Sequence, residues 1–194
     1  MIAFVTGKFV YKSPAVVHVD VNGVGYEVQV SLNTYSKIQS LEKGSLYTWL
    51  HVKEDGHTLY GFFDMAEKNI FTQLISVNGV GTSTARMMLS AMQPAELAQA
   101  IIKGDTLRLE KIKGIGKKSA ERIVLELRDK MGKTSSETTG SALINNTLEQ
   151  DALNALVALG IARNMAENAV KKAAASAPPT ENLETLIKKA LQLI

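Results

Sequence analysis

A nine-residue pattern occurs twice, 35 residues apart, as Val77-Asn78-Gly79-Val80-Gly81-Thr82-Ser83-Thr84-Ala85 and as Ile112-Lys113-Gly114-Ile115-Gly116-Lys117-Lys118-Ser119-Ala120. In each copy an apolar residue leads into Gly-apolar-Gly, two small or basic residues follow, and Ser or Thr then Ala opens a helix-like stretch. Glycine tolerates positive φ and the close approach of another chain, and a helix that starts just after it points unpaired N–H groups and its positive dipole end outward. That is the chemistry of a phosphate cradle. The candidate members are Gly79, Val80, Gly81, Thr82 and Ser83, with Arg86 one turn further on, and then Gly114, Ile115, Gly116, Lys117, Lys118 and Arg122.

Elements must hold these turns, and the same offset of 35 identifies them: it pairs Leu74 with Leu109, Val77 with Ile112, Ala85 with Ala120, Met88 with Ile123 and Met92 with Leu127. An apolar helix on each side of a glycine turn is a helix-hairpin-helix, and two copies are expected to pack together as a repeat pair. One Gly-x-Gly alone is an ordinary helix stop; two aligned copies point to nucleic acid. Charge placement agrees. The net charge is only +3, but residues 1–63 hold five basic and five acidic side chains, residues 133–194 six of each, and residues 64–132 eleven basic against eight acidic. Lys111, Lys113, Lys117, Lys118 and Arg122 crowd the second copy, with Lys118 and Arg122 on one helix face.

Other chemistries lack their residues. Gly114-Ile115-Gly116-Lys117-Lys118-Ser119 resembles a nucleotide-binding P-loop, but that loop needs a glycine five places before its Gly-Lys pair, where this chain has Lys111. His18, His51 and His57 fall on strands or turns without ligand clusters around them, so no metal is expected. The chain has no cysteine, which removes disulfides, thiolate sites and cysteine nucleophiles together. Glu54-Asp55 is the one carboxylate pair that stands out, at a turn where Asp-Gly is an ordinary hairpin dipeptide. No apolar run of about 18 residues and no basic leader with a long apolar stretch is present, so neither a membrane span nor a signal peptide is expected, and the cytoplasm is the expected compartment.

Along the chain, residues 1–63 read as five short strands. Val17, Val19 and Val21 alternate, Asn22-Gly23 turns the chain, and Tyr26, Val28 and Val30 alternate back. Phe4 to Tyr11, Leu46 to Lys53 and Leu59 to Phe63 complete a small closed barrel of OB type, although an SH3-like barrel presents the same pattern. Residues 64–132 take a period of about 3.6 and form the tandem hairpin domain. From 132 to 147, eleven of sixteen residues are Gly, Ser, Thr or Asn, so residues 133–147 read as a flexible tether spanning roughly 20 to 24 Å. Residues 148–194 read as three short helices, Leu148 to Leu159, Arg163 to Ala175 and Glu181 to Leu191. Their charge is balanced, which suits docking onto a protein rather than nucleic acid. The expected class is multidomain α+β: barrel, helical tandem domain, tether and helical tail.

This order resembles the RuvA family, bacterial Holliday-junction-binding subunits of a branch-migration complex. The resemblance covers the whole chain and rests on Asn22-Gly23-Val24-Gly25-Tyr26-Glu27-Val28, Glu54-Asp55 followed by Leu59-Tyr60-Gly61-Phe62, both hairpins, and Ala155-Leu156-Val157-Ala158-Leu159-Gly160. It implies a homotetramer, one or two per junction, that holds a four-way DNA junction open and square-planar while each subunit grips an arm through phosphates. Glu54 and Asp55 correspond to the family's acidic pin at the junction centre. The tail, UBA-like by this resemblance, would recruit the hexameric ATPase RuvB through Leu156, Leu159, Ile161 and Leu191, and the resolvase RuvC would act on the same junction. The chain would then have no catalytic site and no cofactor of its own, ATP and Mg being used by the motor. Two positions depart from the family pattern: Ser83 stands where relatives often carry a basic residue, which would either weaken that contact or pass it to Arg86, and the strand Ile2-Ala3-Phe4-Val5-Thr6-Gly7 lacks an arginine seen in relatives.

Two other classes compete. A base-excision glycosylase or lyase would normally carry one hairpin motif and a catalytic Lys or Asp in a base-sized pocket. A sequence-tolerant RNA binder would stack bases on exposed aromatics, yet aromatics are only 6% of this chain and mostly occupy strand positions suited to a core.

Overall fold

The structure, a computed structural model, describes residues 1–54, 56–136, 144–175 and 182–194. They fall into two compact units, Met1–Thr138 and Thr139–Ile194. In the first, strands β1 (Phe4–Lys12), β2 (Val16–Val21), β3 (Val24–Val30), β4 (Lys43–Lys53) and β5 (Gly56–Phe62) close a barrel in the order β1-β2-β3-β5-β4. Alternation decides the inner face: Val5, Phe9, Val17, Val19, Val28, Val30, Leu46 and Leu59 are buried together. All neighbours are antiparallel except β3 and β5, which run parallel through Val28↔Leu59 to Val30↔Gly61. Closure is tight, and a Cβ at Gly7 would collide with the Asp20 carbonyl.

Between β3 and β4 the chain forms a helix that periodicity does not reveal, α1 (Leu32–Ile38). Ser31 caps it by accepting from the Thr34 N–H at 3.1 Å, and the Lys12 ammonium closes its far end on the Gln39 and Leu41 carbonyls, both at 2.7 Å. Ile38 is fully buried in the barrel core.

Helices α2 (Met65–Ile75), α3 (Thr82–Ala91), α4 (Pro94–Lys103), α5 (Thr106–Glu110) and α6 (Lys117–Ser136) follow. They do not form a separate body, because β5 feeds two cores. Leu59 faces the barrel interior, whereas Tyr60 and Phe62 join Phe71, Leu74, Met88, Leu97, Ile101 and Ile123 in the helical core. Trp49, paired with Tyr60 across β4 and β5, meets the Phe71 ring edge-on at 5.5 Å, and Phe62 lies 4.8 Å from the same ring. Every offset-35 pair is buried: Leu74 with Leu109, Val77 with Ile112, Ala85 with Ala120, Met88 with Ile123, and Met92 with Leu127.

The second unit holds α7 (Ile144–Ala158), α8 (Arg163–Ala175) and α9 (Leu183–Gln192) around Ala152, Leu153, Leu156, Ala166, Ala169, Val170, Ala173, Leu186 and Ala190. Small alanines at the contacts let the short helices approach closely. Both ends of the segment read as a tether, 133–147, are helical, since α6 continues to Ser136 and α7 begins at Ile144. Polar residues without an apolar face can still extend a helix that is already nucleated. The rest of that segment, 137–143, lies outside the described residues.

Candidate nucleic-acid interface

The two glycine turns are built from the same backbone bonds. Val77 and Ile112 donate to the Leu74 and Leu109 carbonyls at 3.1 and 3.0 Å, Val80 and Ile115 to the Val77 and Ile112 carbonyls at 3.0 Å, and Ala85 and Ala120 to the Gly81 and Gly116 carbonyls at 2.9 Å. Gly79 has φ 89° and Gly114 φ 90°, a conformation that disfavours any residue with a Cβ. Four other helix starts are closed by side chains: Ser31 for α1, Asp64 for α2, Asp105 for α5 and Asn182 for α9. Helix α3 instead starts after Gly81 with no side-chain cap, and Gly116, just before α6, has no side chain to offer. The first-turn N–H groups of Thr82, Ser83, Thr84, Lys117, Lys118 and Ser119 therefore face outward at the positive ends of two helices. An anion is what such ends take.

The candidate ligands divide accordingly. Gly79, Gly81, Gly114 and Gly116 are exposed, as are Ser83, Lys117 and Lys118, while Thr82 is half-buried with its side-chain oxygen accepting from the Tyr60 hydroxyl at 2.9 Å. Val80 and Ile115 serve differently from the expectation. Their side chains are buried and their N–H groups are already bonded inside the turn, so they anchor the loop rather than offer it. Arg86 also departs from expectation: its guanidinium donates to Gln29 Oε1 at 2.5 Å and to the Ala15 carbonyl at 3.2 Å. It is drawn onto the barrel, and this geometry gives no support to its standing in for a basic residue at Ser83. Instead Arg122 of the second motif reaches the first. It donates to the Asn78 carbonyl at 3.2 Å and lies 3.6 Å from Glu126. No charged side chain lies between Ser76 and Ala85 in the sequence; Arg122 brings a cation to this turn from the other motif.

Glu54 stands at the tip of the β4–β5 hairpin, exposed; its neighbour Asp55 lies outside the described residues. The barrel flanks this hairpin only at its base, through β1 up to Tyr47 and through β3 at Leu59–Gly61. The outer pairs His51↔Thr58, Val52↔His57 and Lys53↔Gly56 form a two-stranded ribbon, about 10 Å long at ~3.4 Å per residue. In the second unit, Leu159 and Leu191 are exposed (65% and 43%), Ile161 is half-buried against the core, and Leu156 is fully buried. Leu156 thus supports this surface from beneath and is not part of it.

Comparison with known proteins bears on all three parts. Residues 1–61 match the model described as RuvA N terminal domain, residues 71–129 the SAM-like helix-hairpin-helix tandem, and residues 147–194 the RuvA, C-terminal domain. Relatives named Holliday junction branch migration complex subunit RuvA include one from Cytophaga hutchinsonii, 41% identical over the whole of both chains. Those from Christiangramia forsetii and Flavobacterium psychrophilum are 44% identical over 99% of each chain. The chain belongs to the RuvA family.

In this RuvA-family chain the hairpins are bolted to the barrel by buried polar groups absent from the motif. Glu67 of α2, fully buried, accepts from the Ser31 and Thr34 hydroxyls of the α1 start, the latter at 2.7 Å. Burial lifts its carboxyl above the ordinary value of 4.5 and the Asp64 charge adds to this, while the two hydroxyls and Lys37 oppose the rise without cancelling it. Burial also pushes Asp64 upward, but its hydrogen bond to Lys37 at 2.5 Å, the Glu67 N–H and the Lys37 charge outweigh burial and leave it below 3.8. The bolt and the Arg122 link both join residues more than 30 apart, for which local sequence carries no signal.

Proposed function

We propose that this chain binds four-way DNA junctions as a homotetramer, holds them open and square-planar, and recruits a RuvB motor for branch migration in recombination and repair. The observation that carries the reading is the pair of hairpins with matching backbone bonds and two uncapped helix starts, within a RuvA-family chain. Two cradles of this kind grip an arm through phosphates and read backbone geometry rather than base sequence. Four equivalent subunits match four arms, which is why closed four-fold symmetry suits the substrate. The ribbon carrying Glu54 projects from the barrel. With Asp55, four such tips would set eight carboxylates at the crossover, repelling the strands there and penalising an uninterrupted duplex.

The hairpins supply grip and geometry, and no ATP-binding loop accompanies them in the sequence. Energy for movement then comes from the hexameric ATPase partner, which uses the ATP and Mg, and the chain works as a non-catalytic subunit without a cofactor. The exposed apolar side chains Leu159 and Leu191 are the docking surface we assign to RuvB, with Ile161 at its edge. RuvC acts on the same junction. No helix among the described residues is long and apolar enough to cross a membrane; the cytoplasm is the proposed compartment. RuvA-type matches at both ends of the chain favour this reading over a single-motif glycosylase or an RNA binder.

Competition between a synthetic four-way junction and linear duplex at fixed salt, with the mass of the complex measured, tests this. Equal competition, or a monomer on the junction, overturns it. A chain ending before residue 144 should keep junction binding and lose stimulation of RuvB; retained stimulation removes the tail assignment.

A further inference from the structure

Helix α3, whose first turn forms the neutral phosphate cradle, ends against the barrel, and a single side chain organises that end. Asn33, the second residue of α1, is buried, and its amide is fully used. Nδ2 donates to the Leu89 carbonyl and to the Met92 carbonyl, the latter at 2.8 Å, while Oδ1 accepts from Gln93 Nε2 at 2.8 Å. The last carbonyls of a helix have no partners within it, so Asn33 caps α3 from the barrel side. Adjacent bonds extend the clasp: the Leu32 N–H donates to Ser90 Oγ at 3.0 Å, and the Ser90 hydroxyl donates to the Arg86 carbonyl at 2.8 Å. The Arg86 guanidinium then returns to the barrel at Gln29 and Ala15.

The same barrel carries the ribbon that ends in Glu54. One barrel therefore carries both a phosphate cradle and a carboxylate tip, and α3, ten residues and about 15 Å long, is the lever between clasp and cradle. We propose that Asn33 is a positioning residue for junction selectivity: it sets the cradle of α3 relative to the Glu54 tip, so that an arm and a crossover are engaged together. This inference rests on the junction-binding reading above. Plain duplex is held by the cradles and only repelled by the tip, so it tolerates a small shift of α3, whereas a junction requires cradle and tip in one frame.

The test uses the full chain with Asn33→Asp, nearly isosteric, which replaces the Nδ2 amino group and its two N–H donors with one oxygen facing the Leu89 and Met92 carbonyls. Affinities for a four-way junction and for linear duplex of the same arm sequence are measured at one salt concentration. Melting and the fluorescence of Trp49, the one tryptophan, which packs against Phe71 between barrel and helices, report the fold. The junction-to-duplex affinity ratio is expected to fall by about 3- to 30-fold, the range for a residue coupled to a site it does not touch. An unchanged ratio, whether both affinities hold or fall in parallel, overturns the proposal. Should N33D fail to fold, Gln93→Ala, which removes the bond to Oδ1 and the exposed Gln93 side chain's share in the start of α4, is decided by the same ratio. A wild-type protein without junction preference overturns the junction reading and this inference with it; a wild-type preference that the substitution leaves unchanged overturns the inference alone.

Discussion

Two glycines in one turn separate folding from binding. At Gly79 (φ 89°) an added Cβ meets nothing within 4 Å, so Gly79→Ala brings backbone strain alone, about 1–2 kcal/mol. For a unit of this size that lowers the melting temperature by about 2–8 °C. Gly81 is different: φ −83° and ψ 170° suit alanine, and its Cβ also meets nothing within 4 Å. The weaker cap is offset by the stiffer unfolded chain, so Gly81→Ala should melt within about 0.5 kcal/mol of wild type. Its methyl nevertheless stands beside the open N–H groups of α3, where a phosphate oxygen must approach. Loss of one charge-assisted hydrogen bond, about 1.5–3 kcal/mol, weakens binding by about 10- to 150-fold. Calorimetric melting and fluorescence anisotropy on a labelled junction at fixed salt measure both quantities. If Gly81→Ala binds as wild type, the N–H cradle is not the grip; if it melts like Gly79→Ala, the conformational reasoning fails. The same contrast should hold for Gly114→Ala and Gly116→Ala, where Gly114 has φ 90° and neither Cβ meets an atom within 4 Å.

Lys117→Ala with Lys118→Ala should weaken junction binding and reduce the salt slope by about 0.9 for each phosphate no longer neutralised; an unchanged slope removes these lysines from the interface. Ser83→Lys adds a cation beside the neutral cradle and should tighten binding and steepen that slope, measured in the same titration. Glu54→Ala with Asp55→Ala should strengthen duplex binding, and duplex affinity equal to wild type would leave the pair a plain turn. For Glu67, whose folded pKa is raised, the contribution to stability is fully present below the unfolded value of 4.5 and is lost as pH rises through the folded value. Asp64, lowered, contributes above 3.8 and loses that as pH falls through its folded value. Urea unfolding of Glu67→Gln should therefore show less loss of stability than wild type between pH 4.5 and neutrality, and a greater loss would contradict the burial argument.

Much of the architecture is legible in the sequence. The doubled glycine pattern at an offset of 35 locates both turns, and the buried partners of that offset, from Leu74 with Leu109 to Met92 with Leu127, follow from it. Alternating valines around Asn22-Gly23 predict β2 and β3, because a pleated strand buries every second side chain. Helix α1 leaves no such signal, because seven residues are too few to establish a helical period. Leu156 and Leu159 look alike in sequence, yet one is core and the other surface, since in a short helix only the docking of its neighbours decides which face is covered.

Local sequence specifies which backbone turns form, how often, and with what charge around them, since glycine conformation and local periodicity depend on neighbouring residues. What each side chain does once there depends on packing between distant segments. Arg86 turned to the barrel, Arg122 crossed to the other hairpin, and Asn33 and Glu67 fastened α3 and α2 to α1. Hydrogen bonds between residues 33 to 60 positions apart, such as those of Glu67 and Asn33, exist only when packing brings the partners within about 3 Å, and no local pattern records that distance.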